Sequence, residues 1–128
     1  MKKVYFGIKY HSDNRNRELI EQFEAKFKAL GWSSYCVVRD LEKWGDQHFE
    51  PDTIMADTFA KIDGSDLVVI DVSEKGIGLG IEAGYARAKG IPLVVTLKEG
   101  VEVSTTVLGT ADRVIHYNDV ADIDFSRY

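Results

Sequence analysis

A glutamate inside a glycine-rich run is the residue whose type and spacing best suit chemistry. The run covers residues 76–86 (Gly-Ile-Gly-Leu-Gly-Ile-Glu-Ala-Gly-Tyr-Ala), so Glu82 follows three glycines at alternate positions, Gly76, Gly78 and Gly80. Glycines at this spacing leave one stretch of backbone without side chains, which lets a ligand approach closely. We expect Glu82 in the first turn of the following helix, where the helix dipole favours an ionised carboxylate. An ionised carboxylate can act as a nucleophile.

The same run has two other interpretations. Residues 78–83 match the dinucleotide-binding pattern G-x-G-x-x-A, and Glu99 follows at about the spacing that this pattern requires. However, the pattern belongs directly after the first strand, and Glu82 would repel a pyrophosphate bound at the helix N-terminus. We therefore disfavour dinucleotide binding. In the other interpretation the glycines only make a tight connection, and Glu82 complements the positive end of the helix by about 0.3 to 1 kcal/mol.

Alternating strands and helices are predicted to position this run. Apolar and β-branched runs predict strands over 4–8, 34–38, 67–72, 92–97 and 113–117. Amphipathic patterns, with glycine or proline at their ends, predict helices over 13–30, from 51 to about 63, and over about 81–89. The alternation predicts one α/β domain over residues 1–128. Its architecture is a doubly wound, mostly parallel five-stranded sheet with helices on both faces, of the Rossmann or flavodoxin-like type.

Ligand sites in such sheets lie at the carboxyl ends of the strands. Three segments follow the first three strands and are therefore site candidates, namely 7–16, 39–51 and 71–82. The last of them contains Glu82. The middle segment is predicted to be a long polar loop, and loops of this length are often functional. In the helix that follows it, Met55, Phe59 and Ile62 are expected to share one face.

Composition narrows the classes of function. The 128 residues are 45% hydrophobic and 29% charged, which is typical of a folded domain. The formal charge is −5 and no segment clusters Lys and Arg, which disfavours a nucleic-acid polymer as partner. Cys36 has no partner in the chain, so we expect a reducing, cytoplasmic location. We expect no membrane span, since no apolar run reaches about 20 residues. His48 and His116 lack metal-ligand spacing with Cys36, so no metal site is predicted.

Segment 76–94 resembles the signature of the nucleoside 2-deoxyribosyltransferases and the related 2′-deoxynucleoside 5′-monophosphate N-hydrolases. The core of that signature, G-x-G-x-E-x-G-x-A, is matched by residues 78–86, and Glu82 stands at the position of the family's catalytic glutamate. The first strand, Val4-Tyr-Phe-Gly7, is similar to the family strand that carries a site tyrosine, here Tyr5. Asp57 stands near the position of a family site aspartate, and residues 109–115 are similar to the transferases' C-terminal region.

The resemblance implies a nucleoside 2′-deoxyribosyltransferase that works by double displacement. Glu82 would attack C1′ of a 2′-deoxynucleoside, form a covalent deoxyribosyl intermediate, and pass the sugar to another base. One alternative is a (deoxy)nucleoside 5′-monophosphate N-glycosidase that releases free base. Another is a nucleoside- or nucleotide-binding domain without catalysis. One departure bears on this choice, because Gly76 stands where transferases carry an aspartate and hydrolases a serine.

Roles for other residues follow from the same resemblance. Tyr5 would hold the Glu82 carboxylate or the sugar through its hydroxyl, or else would be a core tyrosine. Asp57 would hydrogen-bond the base and assist its protonation, or else would be a solvated carboxylate on a helix face. Substrate would contact four glycines, Gly7, Gly76, Gly78 and Gly80. The implied partners are a nucleoside or nucleotide, a free base and further copies of the chain, as a dimer or larger homo-oligomer with shared active sites. No cofactor is implied.

Overall fold

A parallel sheet of five strands forms the centre of the protein in the computed structural model, which describes residues 1–102 and 104–128. The strands are β1 (Lys3–Gly7), β2 (Ser33–Tyr35), β3 (Leu67–Asp71), β4 (Leu93–Lys98) and β5 (Arg113–Tyr117). They are ordered β2-β1-β3-β4-β5, and every neighbouring pair is parallel. The helices are α1 (Arg17–Ala29), α2 (Pro51–Asp63), α3 (Ile77–Ala88) and α4 (Thr105–Thr110). The predicted doubly wound α/β fold is confirmed.

Each face of the sheet carries its own hydrophobic core. On one face, α1 and the C-terminal segment pack an aromatic cluster, in which the rings of Phe6 and Phe23 stack at 4.6 Å. On the other face, Tyr5 packs among apolar side chains that include Ile62 of α2 and Leu79 of α3. Side chains alternate between the faces of a strand. Tyr5 therefore points towards α2 and α3, while its neighbour Phe6 points towards α1.

The first helix begins four residues later than predicted. Asn14 has a left-handed backbone conformation (φ 55°), and its N–H donates to the carbonyl of His11 at 3.0 Å. A residue in this conformation cannot lie within a right-handed helix. The chain therefore makes a turn before α1 starts at Arg17.

The second strand is also shorter than predicted, because it ends at Tyr35. The Asp40 carboxylate accepts a hydrogen bond from the Cys36 N–H at 3.0 Å, and the Asp40 N–H donates back to the Cys36 carbonyl at 2.8 Å. The N–H of Glu42 then donates to the carbonyl of Val37, five residues back, at 2.9 Å, and this bond makes Val37–Leu41 a single π-helical turn. An apolar sequence that favours a strand is thus overridden by a side-chain bond to the backbone.

Helix α2 has the predicted bounds, with Pro51 in its first turn and Gly64 after its end. Its buried residues are Thr58 and Ile62. Phe59, which we expected on the same face as Ile62, instead stacks on Tyr85 of α3 at 4.3 Å and stays partly exposed. None of the helices in the described parts of the chain has the length and apolarity needed to cross a membrane.

Candidate active site

The segments after β1, β2 and β3 meet at one cavity. The strand order reverses direction between β1 and β3, the point at which sheets of this topology bind ligands. The cavity measures about 320 Å³. It is lined by Ile8, Lys9 and Tyr10 after β1, Val37, Val38 and Glu42 after β2, Ile54, Met55 and Thr58 of α2, and Gly76, Gly78, Leu79 and Glu82 around α3. Each of the three segments proposed from the sequence contributes to this cavity, the middle one through Glu42 alone, and α2 contributes as well.

Helix α3 starts earlier than predicted, and this changes the setting of Glu82. It begins at Ile77 rather than near Ile81, with Gly76 in extended conformation before it. Glu82 is consequently in the second turn and not in the first. The effect of the helix dipole falls off within the first turn. The expectation that the dipole would keep Glu82 ionised is therefore wrong.

Two residues of β1 fix the position of the Glu82 carboxylate. Tyr5 is buried, and its hydroxyl donates a hydrogen bond to Oε1 of Glu82. Gly7 faces the other oxygen, because a Cβ on Gly7 would lie 3.1 Å from Oε2 of Glu82 and 3.4 Å from Cγ1 of Ile70. A side chain at residue 7 would thus crowd the carboxylate. The hydroxyl of Tyr5 contacts Glu82 while its ring is packed in the core, so the structure shows features of both interpretations, and a part for Tyr5 in the chemistry remains a prediction.

Burial controls the ionisation of this pair. It raises the pKa of Glu82 to about 7, although the hydrogen bond from Tyr5 partly lowers that pKa. Burial beside Glu82 also raises the pKa of Tyr5 well above its ordinary value. Near neutral pH, Glu82 is therefore divided between its protonated and ionised forms, while Tyr5 remains a neutral donor. A carboxyl group whose pKa is strongly shifted by burial in a cavity is a candidate functional group, and only its ionised fraction could act as a nucleophile.

The glycines of the run lie on two cavities. Gly76 and Gly78 line the cavity that holds Glu82. Gly80 lines a neighbouring cavity of about 570 Å³, as does Gly76. A Cβ built on Gly78 or Gly80 would have no atom within 4 Å, so both glycines leave open surface on α3. The expected open approach to the backbone is present, but it lies on the first turns of a helix.

Asp57 is held away from the lining of the cavity. The hydroxyl of Tyr35 donates to Oδ2 of Asp57 at 2.6 Å. The next residue, Thr58, lines the cavity instead and is buried beside the Tyr5 hydroxyl. One residue along a helix rotates the side chain by about 100°. The contribution of Asp57 to the chemistry thus remains a prediction, with no contact to Glu82.

The sequence did not single out Glu42, which is the second carboxylate lining this cavity. It follows the π-helical turn after β2 and is half-buried. The sequence did mark residues 39–51 as a site segment, but four carboxylates lie there, at Asp40, Glu42, Asp46 and Glu50. Only the path of the chain decides which of them faces inward. Within the described residues, no group of three or more His, Cys, Asp or Glu side chains could hold a metal ion.

Comparisons with known proteins show the same fold. No family model and no curated protein matches the chain by sequence. Among solved structures, the CMP N-glycosidase BcmB of Clostridium botulinum is 19% identical, with a TM-score of 0.72 over 94% of this chain and 93% of that one. A 2-deoxyribosyltransferase of Bacillus psychrosaccharolyticus is 13% identical, with a TM-score of 0.76 over 98% and 94%. BlsM is 24% identical, with a TM-score of 0.69 over 94% and 83%. The resemblance found in the sequence is therefore confirmed at the level of fold.

Proposed function

We propose that the protein cleaves the N-glycosidic bond of 2′-deoxynucleosides, with Glu82 as the nucleophile, and transfers the sugar to another base. The observation that carries this proposal is the Tyr5–Glu82 pair in a cavity at the β1/β3 reversal of strand order. Proteins of the same fold are named as a CMP N-glycosidase and a 2-deoxyribosyltransferase, which supports the same class of reaction here.

The reaction would proceed by two displacements at C1′. Ionised Glu82 attacks C1′ of the sugar, the bond from C1′ to the base nitrogen breaks, and the base leaves with the electron pair. Tyr5 holds one carboxylate oxygen by hydrogen bond and so restricts the orientation of the other. A ring nitrogen of a second base then attacks C1′ and displaces Glu82 as the carboxylate, and the proton that this nitrogen loses balances the proton taken up by the departed base. Both displacements invert C1′, so the overall configuration is retained.

One observation favours nucleoside 5′-monophosphates as alternative substrates. Lys9 lines the Glu82 cavity and also an adjacent polar cavity of about 360 Å³, to which Arg15 and Lys98 contribute. Asp71 and Glu74 line the same polar cavity, and Arg15 is paired with Asp13, so the ammonium of Lys9, which the two cavities share, is the cation that would bind a phosphate group. In that case water would take the place of the acceptor base, and the product would be free base.

Product analysis separates these activities. The protein is incubated with deoxycytidine and, separately, with deoxyinosine, each with and without adenine, and the products are resolved by chromatography. Deoxyadenosine formed only with adenine indicates transfer, whereas cytosine or hypoxanthine released without an acceptor indicates hydrolysis. Repeating the assay with deoxynucleoside monophosphates tests the nucleotide alternative. Binding without release of base would indicate a domain that binds nucleosides without catalysis.

The role of Glu82 is tested by Glu82→Gln. Loss of activity is expected, because an amide is too weak a nucleophile to replace the carboxylate. Glu99→Gln is the matched control, since Glu99 is exposed and does not line the cavity. Full activity in Glu82→Gln would exclude the mechanism.

We further propose that the protein forms a homo-oligomer through α3 and α4. Ile77, Ile81 and Leu108 are 87%, 46% and 56% exposed. They belong to the two helices around the larger cavity. Exposed apolar side chains that cluster in this way mark interaction surfaces. Light scattering is expected to show a dimer or larger assembly that Ile77→Glu weakens, and a monomeric wild type would refute this proposal.

A further inference from the structure

Glu42 offers an unused hydrogen-bond acceptor to whatever fills the Glu82 cavity. Its half-buried side chain lines the cavity, and none of the described residues donates a hydrogen bond to its carboxylate, whose pKa is raised by burial and partly lowered by the charge of nearby His48. The neighbouring acidic groups are engaged otherwise, since Glu82 accepts from Tyr5 and Asp40 from Arg39. The Glu42 carboxylate is therefore open to a hydrogen bond from water or from a ligand that enters the cavity.

Glu42 and Glu82 line the cavity from segments that follow two different strands. Glu42 follows β2 and Glu82 follows β3, and these strands flank β1. At about 4.8 Å between neighbouring strands, β2 and β3 are about 10 Å apart. If Glu82 attacks C1′ as proposed above, the base departs from the opposite face of that carbon. The Glu82 carboxylate lies over β1, against Tyr5 and Gly7, so we place the base towards the β2 side, where Glu42 lines the cavity.

The surroundings of Glu42 suit a flat aromatic ring. Val37, Val38, Ile54 and Met55 supply apolar walls at this end of the cavity. Small-molecule sites typically combine such walls with a few polar groups that fix orientation and specificity. Glu42 is a polar group in this position.

Several bonds hold the main chain at Glu42 in place. Its carbonyl accepts hydrogen bonds from the N–H groups of Gly45 at 3.0 Å and Gln47 at 2.9 Å. Lys43 and Trp44, which follow it, both have left-handed conformations (φ 48° and 59°). The Asn14 side chain donates to the Trp44 carbonyl at 2.8 Å and ties this turn to the loop after β1. Left-handed residues outside glycine persist only where the surroundings fix them.

We propose that Glu42 selects the nucleobase by accepting a hydrogen bond from an exocyclic amino group. This inference rests on the proposed function for the position of the base. An ionised carboxylate only accepts hydrogen bonds. It therefore pairs with the amino group of cytosine or adenine, and it repels the carbonyl oxygen that uracil or hypoxanthine presents at the same place. Amino-bearing bases are thus the preferred substrates.

Binding to a non-catalytic variant tests Glu42 directly. Calorimetry at pH 8 would measure the affinity of the Glu82→Gln variant for deoxycytidine and deoxyuridine, and for deoxyadenosine and deoxyinosine. This variant is used because turnover would otherwise consume the ligand. At least one amino-bearing nucleoside is expected to bind about 10- to 100-fold more tightly than its carbonyl partner, as for a hydrogen bond to a charged group. Adding Glu42→Gln should reduce this ratio to about 3 or less, because an amide can also donate.

Asp46→Asn, combined with Glu82→Gln, is the matched control, since Asp46 is an exposed carboxylate four residues away that does not line the cavity. It should leave the ratio unchanged. Three outcomes would overturn the proposal. They are equal affinity for the amino-bearing and the carbonyl-bearing nucleoside in both pairs, an affinity ratio that Glu42→Gln does not change, and no binding of any of these nucleosides. If the binding preference is present but the wild type releases no base from any substrate, the proposed function fails and the assignment of Glu42 stands.

Discussion

Replacing Glu82 by glutamine should stabilise the protein at neutral and alkaline pH. The folded protein holds this carboxylate at a pKa of about 7, against an ordinary value of 4.5, because burial disfavours the charged form. Below about pH 4.5 the group is protonated in both the folded and the unfolded chain, so burial carries no ionic cost. As the pH rises to 7, the unfolded chain ionises first. Folding stability that is present at low pH is therefore lost.

The size of this effect follows from the pKa difference. Each pKa unit corresponds to about 1.36 kcal/mol, so the full difference amounts to roughly 3 kcal/mol above pH 7. Since the side chain is only half-buried, solvent screening reduces the expected value to about 1 to 3 kcal/mol. Glutamine carries no charge and can still accept the hydrogen bond from Tyr5. The variant should therefore avoid this cost without losing the contact.

Urea unfolding, followed by the fluorescence of Trp32 and Trp44, measures the effect. The free energy of unfolding of Glu82→Gln should exceed that of the wild type by about 1 to 3 kcal/mol at pH 8, and the two should converge near pH 4.5. Comparing variant with wild type at each pH removes the contribution of other titrating groups. A difference that does not change with pH, or a wild type that is the more stable at pH 8, would show that burial does not control this carboxylate.

Three further predictions concern activity on whichever substrate is turned over. Tyr5→Phe removes the hydrogen bond that lowers the pKa of Glu82. In the wild type, kcat/KM should fall as the pH drops below about 7, and in the variant this fall should begin at a higher pH. An unchanged pH profile would contradict this prediction. Gly7→Ala should lower kcat about tenfold or more, because its Cβ would displace the carboxylate, whereas Gly64→Ala, with its nearest contact at 3.7 Å, should leave kcat unchanged. Asp57→Asn keeps an acceptor for Tyr35 and should lower kcat/KM by less than about tenfold; a loss of 10² to 10⁴ would instead support Asp57 as a general acid.

Strong local signals explain which parts of the fold were predictable. The apolar run 67–72 predicted the buried strand β3, and Pro51 with Gly64 marked both ends of α2. Segments whose conformation depends on a side-chain bond were less predictable. The carboxylate of Asp40 ends β2 by accepting a hydrogen bond from the N–H of Cys36. The pattern of hydrophobic residues along the sequence contains no information on that bond.

The site was predictable by segment and less so by residue. Tyr5 and Glu82 carry motif information, and the structure joins them. Glu42 and Thr58 line the same cavity without any sequence signal that separates them from neighbouring polar residues. The difference between Asp57 and Thr58 is one position in a helix, and therefore about 100° in direction. A pattern whose alignment is uncertain by one residue cannot decide which of the two faces the ligand.

The start of α3 shows how tertiary packing changes a chemical conclusion. Glycine in a helix costs about 1 kcal/mol relative to alanine, so residues 76–80 favour a turn by propensity alone. Burial of Leu79 and Ala83 against the sheet compensates for that cost and extends the helix back to Ile77. Glu82 is thereby moved from a turn where the dipole would lower its pKa to one where burial raises it. The two settings predict that activity falls on opposite sides of pH 4.5 as the pH is lowered, so a single pH profile distinguishes them. A fall in activity only below pH 4.5 would show that the helix dipole, and not burial, controls the pKa of Glu82.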